Sequence, residues 1–533
     1  MKSNPFQNIG RARFPRSAFN LSYEKKFTAD MGILYPILAD ECVPGDVWSI
    51  GNSAVIRFQP LVAPILHQIK VKTYYFFVPY RILDPNFETF ITRGETGNVV
   101  GVLPVYNPDD ASDPAAVTAK GSLWDFVGIP TGVVPPAQFC PMGYPFMAYN
   151  LVWNEFFRDQ NLQTEIDIND IEQTYNLKRR NWTKDYFTSA LPFQQRGNAP
   201  ALPVVGTIGA DSISMTNVDF AGFGTIVSPG NENNVMVDGV TVNPGLFLGA
   251  TALSNFNAAI DDGLSATTTT TTDITSSLSS VDIADLRLAF QLQVWMERNA
   301  RAGVRYTEFL NAHFNVAPYD GRLQRPEFIG GTTNDVLISE VLQTSSTDGE
   351  PTPQGNLAGH GIAVQTSDVG KYRVEEFGVM IGLMCVYPTP AYQNGINRQW
   401  LRRTTYDFYF PEFANLSEQA IMNGELCTIP VADDPDGSEN LDIFGYTGRY
   451  NEMRYKPNMV CGDMRDTFDY WHLGRQFNPA SPPVLDEKFI VCDPRKDVFA
   501  VPSEPGMVVS FGNHLNVLRP MPVIAEPMKL GGY

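Results

Sequence analysis

The 533-residue sequence is short of the residues that do chemistry. It has five histidines, His67, His313, His360, His472 and His514, and none falls in an HExxH or H-x-H arrangement. No G-x-S-x-G elbow, no phosphate-binding GK[ST] loop and no GxGxxG after a strand occurs, so hydrolase and nucleotide-binding chemistry lack their usual scaffolds. The six cysteines, Cys42, Cys140, Cys385, Cys427, Cys461 and Cys492, are scattered without CxxC or Cys/His ligand spacing. A zinc site and a disulfide framework are therefore not expected; reduced, mostly buried thiols are. No run of 18 apolar residues exists, so no membrane span is expected, and the first residues hold no apolar stretch of the kind a secretion signal needs. Neither a cofactor nor a metal is expected, and no enzyme.

The most telling absence is internal. Residues 197–286 contain no Lys or Arg, yet hold nine acids, from Asp211 to Asp285. The stretch ends in a low-complexity tract, Thr267–Thr272, and 12 of residues 265–280 are Ser or Thr. Such a tract buries too little apolar surface to offset its own ordering entropy. The composition changes sharply at Arg196 and Arg287, which marks an inserted surface elaboration. Its short alternating pieces, ISMTNVDF and NNVMVDGVTV, suggest hairpins of its own.

Charge is unevenly spread. The net charge is −19, but residues 1–26 carry Lys2, Arg11, Arg13, Arg16, Lys25 and Lys26 against Glu24 alone, a local +5 that leaves −24 on the remainder. A basic arm on an acidic body is expected to meet phosphates through those six cations. The arm reads as extended, with Pro5 and Pro15 and little periodicity.

What is abundant points to a β-protein. There are 43 Gly, 40 Pro, 34 Phe and 22 Tyr, which favours many turns over long helices. Residues 54–59 alternate partly, and Ile69–Val78 (IKVKTYYFFV) is rich in β-branched and aromatic residues. Both faces of the latter run are largely apolar, so a second sheet or a neighbouring chain must cover each side. From Lys371 onward, strand-like runs at 379–387, 404–410, 489–492 and 507–511 alternate with turns, which suits a sandwich. Two helices are expected. Phe146–Asn161 carries aromatics at helical spacing. Asp282–Ala302 follows a Ser279-x-x-Asp282 capping box, ends at Gly303, and presents Ile283, Leu286, Phe290 and Val294 on one side. Arg298, Arg301 and Arg305 edge its C-terminus, either solvated or in contact with phosphate or acidic neighbours.

Residues 313–331, HFNVAPYDGRLQRPEFIGG, collect His313, Asp320, Arg322, Arg325 and Glu327 among Pro and Gly. A His313–Asp320 base and orienter is conceivable, but no nucleophile accompanies it. The residue types suit bridges between chain segments instead. Asp433-Asp434-Pro-Asp436-Gly lacks calcium-loop spacing and reads as a turn.

These residues carry a resemblance. HFNVAPYDGRLQRPEFIGG resembles the signature of the major capsid protein of microviruses, small single-stranded DNA bacteriophages, in the gokushovirus branch. So do, in the same order along the chain, VPGDVW (43–48), PLVAPILHQIKVKTYYFFVPYRIL (60–83), WNEFFRDQNLQ (153–163), KRRNWTKDYFTSALPFQQRG (178–197), LRLAFQLQVWMERNARAGVRYTEFL (286–310), FGYTGRYNEMRYKPNMVCGDMR (444–465) and WHL (471–473). The one departure, ALPFQQRG where the family commonly has Trp-Pro, is conservative.

The resemblance implies a mainly β fold, a viral jelly-roll β-sandwich with long loop insertions and a few helices. Residues 1–26 would be the arm, 27–533 the capsid domain, and 197–286 the family's variable insertion, a three-fold protrusion. It implies sixty copies in a T=1 shell around circular single-stranded DNA, assembled in the bacterial cytoplasm and residing in the virion. Implied partners are the other copies, the genome, a small basic DNA-binding viral protein and a host surface receptor, with no membrane insertion. Tyr74, Phe76, Arg322, Arg325 and Glu327 are expected at subunit interfaces. The rival reading is a secreted carbohydrate-active β-protein with a Thr-rich linker; it lacks a secretion signal.

Overall fold

A computed structural model describes residues 15–94, 101–198, 235–237, 240–242, 283–303, 305–342 and 357–524. The chain divides into two compact units, residues 1–198 with 294–533, and residues 199–293.

The strands, in chain order, begin with β1 (Ser17–Asn20), β2 (Tyr23–Ala29), β3 (Tyr35–Cys42), β4 (Val47–Phe58) and β5 (Ile69–Pro79). In the smaller unit, β6 (Val235–Val237) and β7 (Val240–Val242) pair antiparallel, a hairpin within NNVMVDGVTV as its alternation suggests. The other piece, ISMTNVDF, lies outside the described residues. The larger unit continues with β8 (Glu327–Asp335), β9 (Leu337–Leu342), β10 (Leu357–Arg373) and β11 (Gly378–Pro388). Short β12 (Ala391–Tyr392), β13 (Glu418–Met422), β14 (Ile443–Gly448) and β15 (Asn458–Met459) precede β16 (Met507–Arg519).

Two antiparallel sheets form the sandwich. One has the order β1-β16-β4-β10-β9, with β2 also paired to β16; the other has β3-β11-β5-β8. The chain changes sheet at β2–β3, β3–β4, β4–β5, β8–β9, β10–β11 and between β11 and β16, the wrapping of a jelly roll.

Alternation explains which side chains meet. On β4, Trp48, Ile50, Ile56 and Phe58 point inward and join Tyr75, Phe77, Met380, Phe511 and Leu515 between the sheets. The opposite faces of β5 and β11 supply Phe76, Val78, Val379, Ile381 and Leu383 to a second core. That core is closed by the helix Tyr144–Val152 and helical residues around it. All eleven residues of β11 are therefore buried. The two-sided cover expected for Ile69–Val78 is thus a second sheet on one side and this chain's own helices on the other. Burying each large apolar side chain contributes about 1.5–3 kcal/mol.

A polar seam crosses the sandwich. The Asn52 amide donates to the Tyr75 hydroxyl at 3.1 Å, Gln365 donates to Asn52 at 3.0 Å, and Thr73 and Thr332 hydroxyls meet at 2.7 Å. Buried polar groups need partners, and this set fixes the sheets' relative register. The VPGDVW block has a similar cause. Asp46, fully buried, accepts from the Val43 N–H and takes the Arg519 guanidinium at 2.8 Å, tying the β3–β4 turn to the end of β16.

The expected helix 146–161 runs as Tyr144–Val152 and then a π-turn, Trp153–Phe157. The second helix is Ile283–Ala302, followed by Gly303 with φ 106°. Its capping box lies outside the described residues. Strand-like runs at 379–387 and 507–511 fall in β11 and β16. Those at 404–410 and 489–492 are not strands: Asp407 accepts the Arg403 and Thr404 N–H groups and curls the first into a turn, and Asp486 caps a short helix in the second.

Candidate assembly surface

The stretch 313–331 is built into its own chain. The helix Tyr306–Phe314 ends at Asn315, which takes a left-handed φ of 54°. His313 Nε2 lies 2.6 Å from Asn299 Oδ1, so its ring is oriented by an amide and not by Asp320. Asp320 instead pairs with Arg325 at 2.9 Å. Arg325 also donates to Thr307 at 3.1 Å and stacks its guanidinium 4.5 Å from the Phe156 ring. Glu327 accepts the Tyr372 hydroxyl at 2.7 Å; burial, reinforced by that carboxylate, raises the Tyr372 phenol well above its usual range. Arg81 joins Gln324 and bonds Glu376 at 2.6 Å. Among the described residues no group of His, Cys, Asp or Glu is placed to hold a metal ion.

The five residues expected at subunit interfaces have different surroundings within the single chain. Arg325 and Glu327 spend their polar groups within the chain. Phe76 is 1% exposed, with Phe156 at 4.7 Å, Phe328 at 5.3 Å and Phe157 at 6.4 Å between ring centres. The reason is the π-turn, which swings Phe156 and Phe157 over β5. Tyr74 is half-buried; its hydroxyl accepts from Arg180 at 3.3 Å, and burial raises its phenol. With Phe157, Arg180, Trp182, Arg305 and Phe328 it lines a groove of about 680 Å³. Arg322 is exposed.

The arginine edge takes acidic neighbours. Arg301 pairs with Glu418 and donates to Ser417 O at 2.6 Å. Arg305 pairs with Glu308 at 3.3 Å and donates to Asn154 O at 2.7 Å.

Part of the expected arm, residues 1–26, pairs with the sandwich. Residues 17–20 and 23–29 are strands, in register with β16 through Ser17↔Arg519 and Phe27↔Val509. The signal was present in YEKKFTA, where Lys25, Phe27 and Ala29 alternate with Glu24, Lys26 and Thr28. Lys25 points inward. Its ammonium donates to Pro36 O at 2.8 Å and to Phe126 O, and sits 5.4 Å from the Phe126 ring. Burial pulls its pKa down to about 8. These partners hold its ammonium against the fold. Arg16 is exposed, and Lys26 is exposed beside Glu24 at 3.4 Å. Lys2, Arg11 and Arg13 lie outside the described residues.

Sequence reasoning missed an aromatic surface. Residues 403–412 are all exposed, and four rings, Tyr406, Phe408, Tyr409 and Phe410, stand among them. The density of aromatics in TTYDFYF is the available signal; it suits a strand equally well, and Asp407 curls it into a turn.

The chain matches the family model described as capsid protein (F protein) over residues 7–529. It is 34% identical over 588 aligned residues to capsid protein VP1 of Chlamydia phage 1, covering 98% of this chain and 97% of the relative. Identity to capsid protein VP1 of Bdellovibrio phage phiMH2K is 34%, covering 99% and 98%. Identity to capsid protein VP1 of Spiroplasma virus 4 is 30%, covering 96% and 95%. These near full-length matches leave the carbohydrate-active reading without support. The place of such a protein is the virion, and no described helix is long and apolar enough to cross a membrane. The chain belongs to the phage capsid (F protein) family, in the gokushovirus branch of the microviruses.

Proposed function

We propose that this capsid protein closes as sixty copies into a T=1 shell around circular single-stranded DNA, with the basic N-terminus turned toward the genome. The observation that carries the reading is the attachment of that N-terminus to the sandwich. Exposed Arg16 directly precedes β1, the edge strand of the β1-β16-β4-β10 sheet, and the sequence before it holds Lys2, Arg11 and Arg13. An acidic chain of net charge −19 has few other places to meet phosphate. Sixty such chains do not neutralise a genome, so a small basic viral protein, polyamines or metal ions complete the balance. The half-buried Tyr74 and exposed Arg322 are placed at contacts between copies. Residues 197–286, acidic and without Lys or Arg, suit an outward face and contact with a host receptor, clustered at a three-fold axis.

The arm is tested by comparing particles of the full chain with particles lacking residues 2–16. Nuclease-protected DNA per shell should fall several-fold in the truncated particles while shells still form, and its retention should become less sensitive to salt, since released counterions scale with phosphate contacts. Equal protected DNA in both would remove the arm from the genome.

A further inference from the structure

The turn at 404–413 is a rigid shape that leaves its rings uncovered. Asp407 fixes it by accepting the Arg403 and Thr404 N–H groups at 2.9 and 2.7 Å. The Tyr450 hydroxyl donates to Phe408 O at 3.1 Å, and Arg449 donates to Tyr406 O at 3.3 Å. Tyr409 meets the Tyr450 ring at 5.1 Å. The segment is thereby fastened to the β13–β14 hairpin, at the end where Glu418 pairs with Gly448. Yet Tyr406 is 69% exposed, Phe408 52% and Tyr409 49%. Taking about 200 Å² for a whole ring, these and Phe410 offer roughly 400 Å² of aromatic surface. A standard interface takes about 800 Å² from each partner, so the patch makes half of one. Exposed Arg403 precedes it, and exposed Arg454 and Lys456 follow Tyr450 along the chain. Of its exposed acids, Asp407 is already occupied by the turn, which leaves Glu412. Aromatic rings with Arg around them are the composition of an interface core.

The other end of the same hairpin, where Met422 pairs with Ile443, has the opposite character. Val431, Leu441 and Ile443 are exposed there, and so are Asp433, Asp436, Glu439 and Asp442. Residues 404–448 contain no Lys or Arg. This end too has a fixed shape: buried Asp434 accepts the Asn440 side chain at 2.7 Å, and Asn440 donates to Ile429 O at 3.0 Å. Five residues of strand, on the order of 15 Å, separate a basic aromatic end from an acidic aliphatic end.

We infer that the 404–413 aromatic face of one copy docks on the 431–443 acidic face of the next, a head-to-tail contact that closes a ring around a symmetry axis of the shell. The inference rests on the shell reading and goes beyond it by naming the two surfaces. Two different patches that complement each other generate rings, whereas a patch that meets itself generates a two-fold pair. The partner is a second copy because each face is supplied, with matching charge and apolar content, by the same chain.

The test is a charge swap in the full-length protein, read as particle yield by sedimentation and electron microscopy, with thermal melting as the control for folding. Arg403→Glu with Lys456→Glu, and separately Glu439→Lys with Asp442→Lys, should each lower particle yield about tenfold or more, because like charges then face each other. All four changes together should restore the yield to within about twofold of the unmodified chain. Where a pair lowers the melting temperature, the neutral pairs R403Q/K456Q and E439Q/D442N replace it, and these should still reduce yield. Full yield from either pair, or no rescue by the fourfold swap in a folded protein, overturns the contact. Normal shells that hold less DNA in the Arg403 pair would instead assign the patch to nucleic acid, and overturn it too. If the unmodified chain forms no particles under the same conditions, the shell reading fails, not merely this contact.

Discussion

Lys25 shows how a residue's chemistry depends on which side of a strand it occupies. Counted by charge, it belongs with Arg16 and Lys26. On β2 it alternates inward, and two backbone carbonyls hold its ammonium against Phe126. Burial favours the neutral amine, and its pKa falls from 10.5 to about 8. Between those values the unfolded chain keeps a proton that the folded chain has lost. Stability must therefore rise with pH from about 8 to about 10.5, with a ceiling on the order of 3 kcal/mol. Lys25→Met should flatten that rise. The check is the wild-type minus variant difference in urea unfolding free energy across this window; a difference that stays constant with pH would show that Lys25 is not held this way. Phe76 gives the same lesson from the apolar side. Its burial was legible in IKVKTYYFFV, but the partner was not, because the π-turn that brings Phe156 and Phe157 over it depends on packing and not on local pattern.

At the scale of elements, strands with strong alternation or dense β-branched and aromatic residues were readable, as in β5, β11 and β16. The 17-residue β10 was not. Its sequence, LAGHGIAVQTSDVGKYR, is diluted by glycine and small polar residues that weaken strand propensity. Gly359 is there because a Cβ would lie 2.6 Å from Ala63 O, and Gly361 because one would lie 2.8 Å from the Phe58 ring. Close approach, invisible from propensity, decides both. The 404–413 turn fails the opposite way: its aromatics suggest a strand, and one carboxylate, Asp407, bends it. Residues 197–286 stand out in the sequence by their missing Lys and Arg, and within them 235–237 pairs with 240–242. Replacing residues 205–280 by a short Gly/Ser linker should leave shells able to form, since β5, β8 and β11 pair without it, and should abolish or redirect adsorption to host cells. Adsorption of the deleted particles to the same host at the original rate would remove the attachment role.

At the scale of the whole molecule, function rests on surfaces and charge distribution. The sandwich supplies a wall in which buried Asp46 is held by Arg519. The acidic body, of net charge −19, repels its copies, so closure needs local attraction strong enough to overcome it, which the two ends of the β13–β14 hairpin can provide. The candidate site was harder to read from sequence than the fold. Phe76, Arg325 and Glu327 are aromatic or bridging, and those properties serve contacts within a chain as well as contacts between chains. The most direct measurement is an electron-microscopy reconstruction of particles made from the full-length protein. We expect a closed icosahedral shell of sixty copies, β1 and the residues before it on the inner surface, residues 199–293 on the outside, and the 404–413 rings of each copy covered by residues 431–443 of the next. A shell with another copy number, or one with residues 199–293 facing the interior, would contradict it.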